Sequence, residues 1–298
     1  MSFVRRGSFF CAFCFALCAG ALSAPGVSKT GPSRSEPRGS SPQRIVSINL
    51  CTDELLLDLV GPERVAAVTK FCGDPKVSTV AARAGGIQKI TADIEHVRDR
   101  DPDLILGGRF NGGETFRFFR KTGVPVLLFD VPKSFEDIYR DIRRLAEAVG
   151  EPEKGDAIIK SMQAELAELN GVSHRFREMV TDPVRAIFFQ SGGYVPGAET
   201  FENAIMEAAG LSNVALELGI RGYGRMGLEE LIKARPDVII FSSEQRDSKT
   251  VRGEVLDHPA IKKALPRATM VTIPTLYLNC GSPASVEAVR ILVRETAV

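Results

Sequence analysis

Two segments of this chain, IEHVRDRDPDLILGG at 94–108 and LEELIKARPDVIIFSS at 228–243, follow one plan. Each carries an acid at its second position, Pro-Asp seven and eight residues after that acid, and then an apolar run. A residue before proline is pushed out of the α region, so each segment reads as a short helix stopped ahead of the proline and followed by a buried strand. Two further pairs keep the same order along the chain. TDELLLDLVG at 52–61 and TFENAIMEAAG at 200–210 each follow an expected strand, open at Thr and stop at Gly. GVPVLLFDV at 123–131 and PRATMVTIP at 266–274 each add a strand after the Pro-Asp strand. Three matches in one order imply two similar lobes.

Short β-branched runs alternate with amphipathic segments from Arg44 onward, which predicts an α/β protein with parallel strands. Strands are expected at 45–48, 65–68, 104–106, 124–129, 185–189, 238–241 and 270–273. Between the lobes the pattern turns helical. Ser134 and Asp137 have capping-box spacing, and Phe135, Ile138, Ile142, Leu145 and Val149 share one helical face. A second stretch, about 153–179, with Ile158, Met162, Leu166 and Leu169 on a stripe, predicts a helix about 40 Å long. Such a helix makes a stiff connector. The expected organisation is a lobe over 44–150, a linking helix over 151–182 and a second lobe over 183–298.

Ahead of the lobes, Arg5 and Arg6 precede the apolar run FFCAFCFALCAGAL, and small residues follow up to Ala24. Residues 1–24 read as a secretory signal peptide, too short to span a bilayer, and the Pro-, Ser- and Gly-rich 25–43 as a flexible leader. The expected product is periplasmic and monomeric. The whole sequence has 38 Lys+Arg against 37 Asp+Glu, and losing the signal leaves a formal charge of −1, which argues against a nucleic-acid partner. Cys51, Cys72 and Cys280 remain after cleavage. An odd number in an oxidising compartment allows one internal disulfide at most, and a Cys51–Cys72 bridge between neighbouring strand ends is the expected one.

The order of elements, with RIVSINLCTDELLLDLVGPERVAAV at 44–68, the two Glu-containing Pro-Asp segments and the linking helix, resembles the periplasmic solute-binding proteins of ABC importers for cobalamin, ferric siderophores or haem. The resemblance covers about 44–298. It implies capture of a chelated metal, a ferric siderophore or a corrinoid, and its delivery to an inner-membrane ABC permease and ATPase. It implies no cofactor of the protein's own. It also implies one exposed glutamate per lobe paired with arginines of the permease. Glu95 and Glu229 hold that matching place, although an acid near a helix start also complements the helix dipole.

Ligands of open α/β sheets sit beyond the carboxyl ends of the strands. In the first lobe this rule selects Asn49, Leu50, Cys51 and Thr52, then Phe71, Cys72 and Gly73, then Arg109, Phe110 and Asn111 of GGRFNGG. From the second lobe it selects Gly192, Gly193 and Tyr194, then Tyr223 and Arg225 of RGYGRMG, Ser243, and Tyr277, Asn279 and Cys280. The aromatic rings offer flat faces to a macrocycle or catecholate, and Arg109 and Arg225 suit carboxylate or phosphate groups.

Other chemistries are weaker. His96, His174 and His258 have no metal-ligand spacing, and no G-x-S-x-G, H-E-x-x-H or Walker motif occurs. A thiolate trio of Cys51, Cys72 and Cys280 could hold a soft ion. Cys51, at a strand end before a helix, is the candidate nucleophile if the protein is instead a secreted α/β enzyme. A receptor of the same fold feeding a sensor is the third alternative.

Overall fold

The computed structural model describes residues 41–110, 112–179, 182–243 and 263–296. The expected leader ends against the first lobe: Gln43 and Arg44 donate backbone N–H to the Asp103 carboxylate, and the Pro42 carbonyl accepts from Arg64. The expected signal peptide, most of the leader, Asn111 and His258 lie outside the described residues. Among the described residues no helix is long and apolar enough to cross a membrane.

The first lobe runs β1 (Ile45–Ser47), α1 (Leu50–Leu59), β2 (Val65–Thr69), β3 (Lys89–Ile90), α2 (Ile94–Arg98), β4 (Leu104–Gly108), α3 (Gly113–Thr122), β5 (Val126–Phe129) and α4 (Phe135–Val149). The long helix α5 (Pro152–Arg177) follows. The second lobe runs β6 (Arg185–Phe188), β7 (Tyr194–Pro196), α6 (Phe201–Ala208), β8 (Ser212–Asn213), α7 (Val214–Glu217), β9 (Tyr223–Arg225), α8 (Leu228–Ala234), β10 (Val238–Ser242), β11 (Thr269–Ile273) and α9 (Val286–Thr296). Every strand expected from sequence is present. The short β3, β7, β8 and β9 were not expected, since two- and three-residue strands carry too little alternation to read.

The duplication is visible in the sheets. The first has the order β3-β2-β1-β4-β5 and the second β11-β10-β6-β8, all parallel, so β2-β1-β4-β5 corresponds in order to β8-β6-β10-β11. The Pro-Asp pairs explain why both copies keep these residues. Asp101 and Arg235, each just before its proline, adopt left-handed φ of 48° and 47°. The following aspartates then clamp the start of the central strand. Asp103 N–H donates to the Arg44 carbonyl while its carboxylate accepts the Arg44 N–H, at 3.1 and 3.0 Å. Asp237 repeats this with Arg185 at 2.8 and 2.9 Å.

Helix starts follow local chemistry. Ser134 caps α4 by accepting the Asp137 N–H, and Thr200 caps α6 through Asn203 N–H. The helix α1 starts before Thr52 because Asn49 Oδ1 takes the N–H groups of Cys51 and Thr52. The whole expected stripe of α4 is buried. On α5 the buried line is Ile159, Met162 and Leu169, with Ile158 and Leu166 half-buried beside it. Gly155 lets α5 approach α4, since a Cβ there would lie 2.5 Å from that of Ala146.

These helices do more than connect. One continuous apolar core takes in Leu106 of the first sheet, Leu145 of α4, Met162 of α5, Ile205 of α6, Ile240 of the second sheet and Leu292 of α9. Beside it the lobes touch directly at matching places. Lys133 and Glu199, each just before a helix cap, pair at 3.4 Å, and Phe135 and Phe201, the first residues of α4 and α6, meet edge to face at 5.3 Å.

The clamp sets an expectation. Asp237→Ala should lower stability by about 1.5–3 kcal/mol, the scale of a hydrogen bond to a charged acceptor, with Asp103→Ala similar and the double variant additive in urea denaturation.

Candidate functional site

A cavity of about 250 Å³ lies between the lobes. Its wall comes from the carboxyl ends of β1, β4 and β5 on one side: Asn49, Cys51, Arg109, Phe110 and the run Phe129 to Pro132. Facing them are Phe201 and Glu202 at the start of α6, Tyr223 of β9, and Leu278, Asn279 and Gly281 after β11. This is the juxtaposition that the repeat and the strand-end rule imply.

Of the residues read from sequence, Asn49, Cys51, Thr52, Arg109, Phe110, Tyr223 and Asn279 line the cavity. Tyr194 and Arg225 stand next to it, because β7 and β9 form an antiparallel ribbon with Tyr194 opposite Arg225 and Pro196 opposite Tyr223. Phe71 is half exposed under Lys70 and is not in the wall. Tyr277 packs against the apolar core rather than into the cavity, and Ser243 is engaged with Thr275.

Cysteine chemistry needs correction. Cys51 is bonded to Cys280, 229 residues away, with Cα atoms 5.0 Å apart. Cys72 is not its partner: it is fully buried, and burial pushes its thiol up to about 12. Cys72 therefore cannot touch a ligand in the cleft, the thiolate trio is not assembled, and Cys51 is no free nucleophile. Strand-end adjacency suggested the wrong pair because the segment after β11 folds back onto the first lobe. Gly281 shows how closely, since a Cβ there would lie 2.2 Å from Pro132.

The polar groups of the wall are mostly committed. Arg109 and Asp130 pair through two contacts of 2.5 and 3.2 Å, which hold the Asp130 carboxyl below its usual range. Asp141 lies 3.7 and 3.6 Å from Arg140 and Arg144. Glu202 accepts from Gln190 Nε2 at 2.9 Å and from the Tyr223 hydroxyl at 2.9 Å. Burial, and then that carboxylate, raise the Tyr223 phenol well above its ordinary value. Among the described residues no group of three or more His, Cys, Asp or Glu side chains is arranged to hold a bare metal ion.

Sequence reading missed Asp130, Val131 and Pro132, although they follow an expected strand and the same rule would have found them. Phe201 and Glu202 carried no such signal, because they enter the wall where the start of α6 meets that of α4 at the Phe135–Phe201 contact.

Residues 45–266 match the family model described as periplasmic binding protein. The chain belongs to the periplasmic binding protein family. Among curated relatives it is 24% identical over 206 residues to an uncharacterised ABC transporter substrate-binding lipoprotein of Bacillus subtilis, covering 67% of this chain and 63% of that one. It is 23% identical over 252 residues to a cobalamin-binding protein of Halobacterium salinarum, covering 83% and 68%. Among solved structures, the periplasmic heme-binding protein RhuT of Roseiflexus in apo form superposes with a TM-score of 0.70 at 26% identity, over 86% of this chain and 99% of that one.

Two outcomes follow from the geometry. Replacing both Cys51 and Cys280 by Ser should cost about 2–5 kcal/mol in urea denaturation, because the bridge closes a very long loop. Asp53, directly after Thr52 on α1, is fully buried and accepts from Thr69 N–H and Oγ; burial pushes its carboxyl up from 3.8 to about 7. The folded state then holds a proton that the unfolded chain releases near pH 4, so stability should fall as pH rises from about 4 through 7. Asp53→Asn should reduce that fall by on the order of 2 kcal/mol, read from melts at pH 5 and pH 8.

Proposed function

We propose that this protein is the exported substrate-binding component of an ABC importer, capturing a metal held in a tetrapyrrole ring and delivering it to a membrane permease. The observation that carries the ligand class is the cavity wall itself. Apolar and aromatic surface from Phe110, Phe129, Val131, Phe201 and Leu278 stands around the Tyr223 phenol, whose hydroxyl donates to Glu202 while its oxygen keeps lone pairs for a metal. Flat rings pack on such faces, and a tyrosine oxygen is a known axial ligand type for ferric haem. With Asp130 and Asp141 facing arginines and Cys51 in a disulfide, the wall suits a metal that arrives already chelated rather than a bare ion. Relatives named for cobalamin binding and haem binding fall in the same ligand class. Export is supported by the charge and apolar pattern of residues 1–24.

Delivery rests on Glu95 and Glu229. Both are exposed, both are the second residue of equivalent helices α2 and α8, and neither caps its helix. Asp93 does that work in α2, and the Glu230 carboxylate accepts the Gly227 N–H in α8. Two acids at equal places on two lobes of one welded body would set docking register on a basic permease surface.

Absorbance titration of the purified protein with hemin, hydroxocobalamin and a ferric hydroxamate tests the ligand class. Saturable binding of at least one tetrapyrrole at micromolar or lower concentration is expected, with Tyr223→Phe weakening hemin tenfold or more. Silence towards both tetrapyrroles would overturn the reading. Charge reversal of Glu95 and Glu229 together should abolish stimulation of the permease ATPase in proteoliposomes and leave the titration curve unchanged.

A further inference from the structure

We infer that residues 278–282 form a strap held to the first lobe by the Cys51–Cys280 bridge, and that a dithiol entering the empty cleft cuts this bridge and loosens the protein's grip on its guest. The inference rests on the proposed guest site between the lobes and holds for any guest seated there.

By its own hydrogen bonds the strap belongs to the second lobe. Leu278 and Asn279 donate N–H to the Thr275 carbonyl, the Ser285 hydroxyl donates to the Cys280 carbonyl at 2.8 Å, and Ser282 N–H donates to Ser285 Oγ at 3.3 Å. Yet Leu278, Asn279 and Gly281 lie in the cavity wall, and Gly281 sits against Pro132 of the first lobe. Across that seam the non-covalent hold is thin. Among the described residues the strap donates one hydrogen bond to the first lobe, from Asn279 Nδ2 to the Val77 carbonyl, and its 3.5 Å lies beyond the usual range. The Cys51 sulfur is 3.6 Å from the Asn279 carbonyl oxygen, but a bridged sulfur has no proton to donate. Glu54 of α1 and Ser282 are neighbours here, both fully buried, and neither Glu54 Oε2 nor Ser282 Oγ has a hydrogen-bond partner among the described residues. An unpaired buried polar group disfavours the state that holds it, so parting the seam hydrates both groups, and the bridge opposes that parting.

The bridge is reached from the cavity. Cys51 is half-buried and lines it, whereas Cys280 is buried. An incoming thiolate therefore attacks the Cys51 sulfur: a mixed disulfide forms there, the Cys51–Cys280 bond breaks, and Cys280 leaves as a thiolate that takes up a proton. The reagent's second thiol, once deprotonated, attacks the reagent's own sulfur in the mixed disulfide. That closes a cyclic disulfide and releases Cys51 as a thiolate in the first turn of α1, where a helix amino end stabilises it. Two electrons have passed from the dithiol to the bridge. Cys72 intercepts neither step, because it is fully buried and its thiol is pushed up to about 12. A guest filling the cavity covers Cys51. By reciprocity, a bridge that strengthens guest binding is itself stabilised by the guest.

Reduction, hydrogen exchange and ligand titration test this together. Purified protein is treated with dithiothreitol in the absence of denaturant and a sample is trapped with iodoacetamide; Cys51 and Cys280 should be alkylated and Cys72 spared. Hydrogen exchange read by mass spectrometry, with the dithiol still present, should quicken at least tenfold at 278–282 while amides of β4, β10 and α4 change less than threefold. A bridge that yields only in denaturant, an unchanged strap, or exchange raised equally along the whole chain would overturn the inference. Hemin and hydroxocobalamin are then titrated into wild type and into Cys51→Ser/Cys280→Ser without reductant. Each ligand that binds wild type should bind the double variant at least tenfold more weakly, and equal affinity would overturn the inference. The single variant Cys280→Ala repeats the titration, so a double variant that fails to fold does not decide the outcome. Failure of wild type to bind either ligand would overturn the tetrapyrrole reading and leave the strap to be decided by reduction and exchange.

Discussion

Burial of α4, α5 and α9 in one apolar core shared by both sheets is the constraint on which the rest of this protein depends. Hydrophobic burial is worth about 25 cal/mol per Å² of apolar surface, so pulling the lobes apart would expose residues such as Leu145, Met162 and Leu292 at a cost far above thermal energy. The carboxyl ends of the two sheets are therefore held facing each other. The slot between the sheets is thus built into one packed body, which also carries Glu95 and Glu229 on its surface.

Smaller contacts refine that frame. The Cys51–Cys280 bridge and the close approach of Gly281 to Pro132 pin the segment after β11 onto the first lobe, at the floor of the cavity. The Lys133–Glu199 pair and the Phe135–Phe201 contact join the starts of α4 and α6 at its side. The exposed ion pair contributes little on its own, whereas the ring contact adds to buried apolar area. The polar groups of the wall are mostly paired, Arg109 with Asp130, Asp141 beside Arg140 and Arg144, and Tyr223 with Glu202.

Much of this was legible along the chain because it depends on local rules. The Pro-Asp repeat announced two lobes, and the structure gives its reason: the same aspartate clamp on the same strand in each copy. Ser134 and the stripe from Phe135 to Val149 specified α4 down to its capping residue. Strand-end logic placed Asn49, Arg109, Phe110, Tyr223 and Asn279 in the wall. Where a rule was applied incompletely, as at Asp130 to Pro132, the signal was still present.

Sequence alone thus determined the lobes, the main strands, the linking helices and the edge of the sheets where a ligand belongs, because periodicity, capping and proline sterics act within a few residues. Only the tertiary structure decided the partner of Cys51, the burial of Cys72, the turning of Tyr277 into the core, the entry of Glu202 into the cavity and which cleft arginine is already neutralised. Those outcomes depend on the packing of segments up to 229 residues apart, and no local pattern records which distant group arrives beside which.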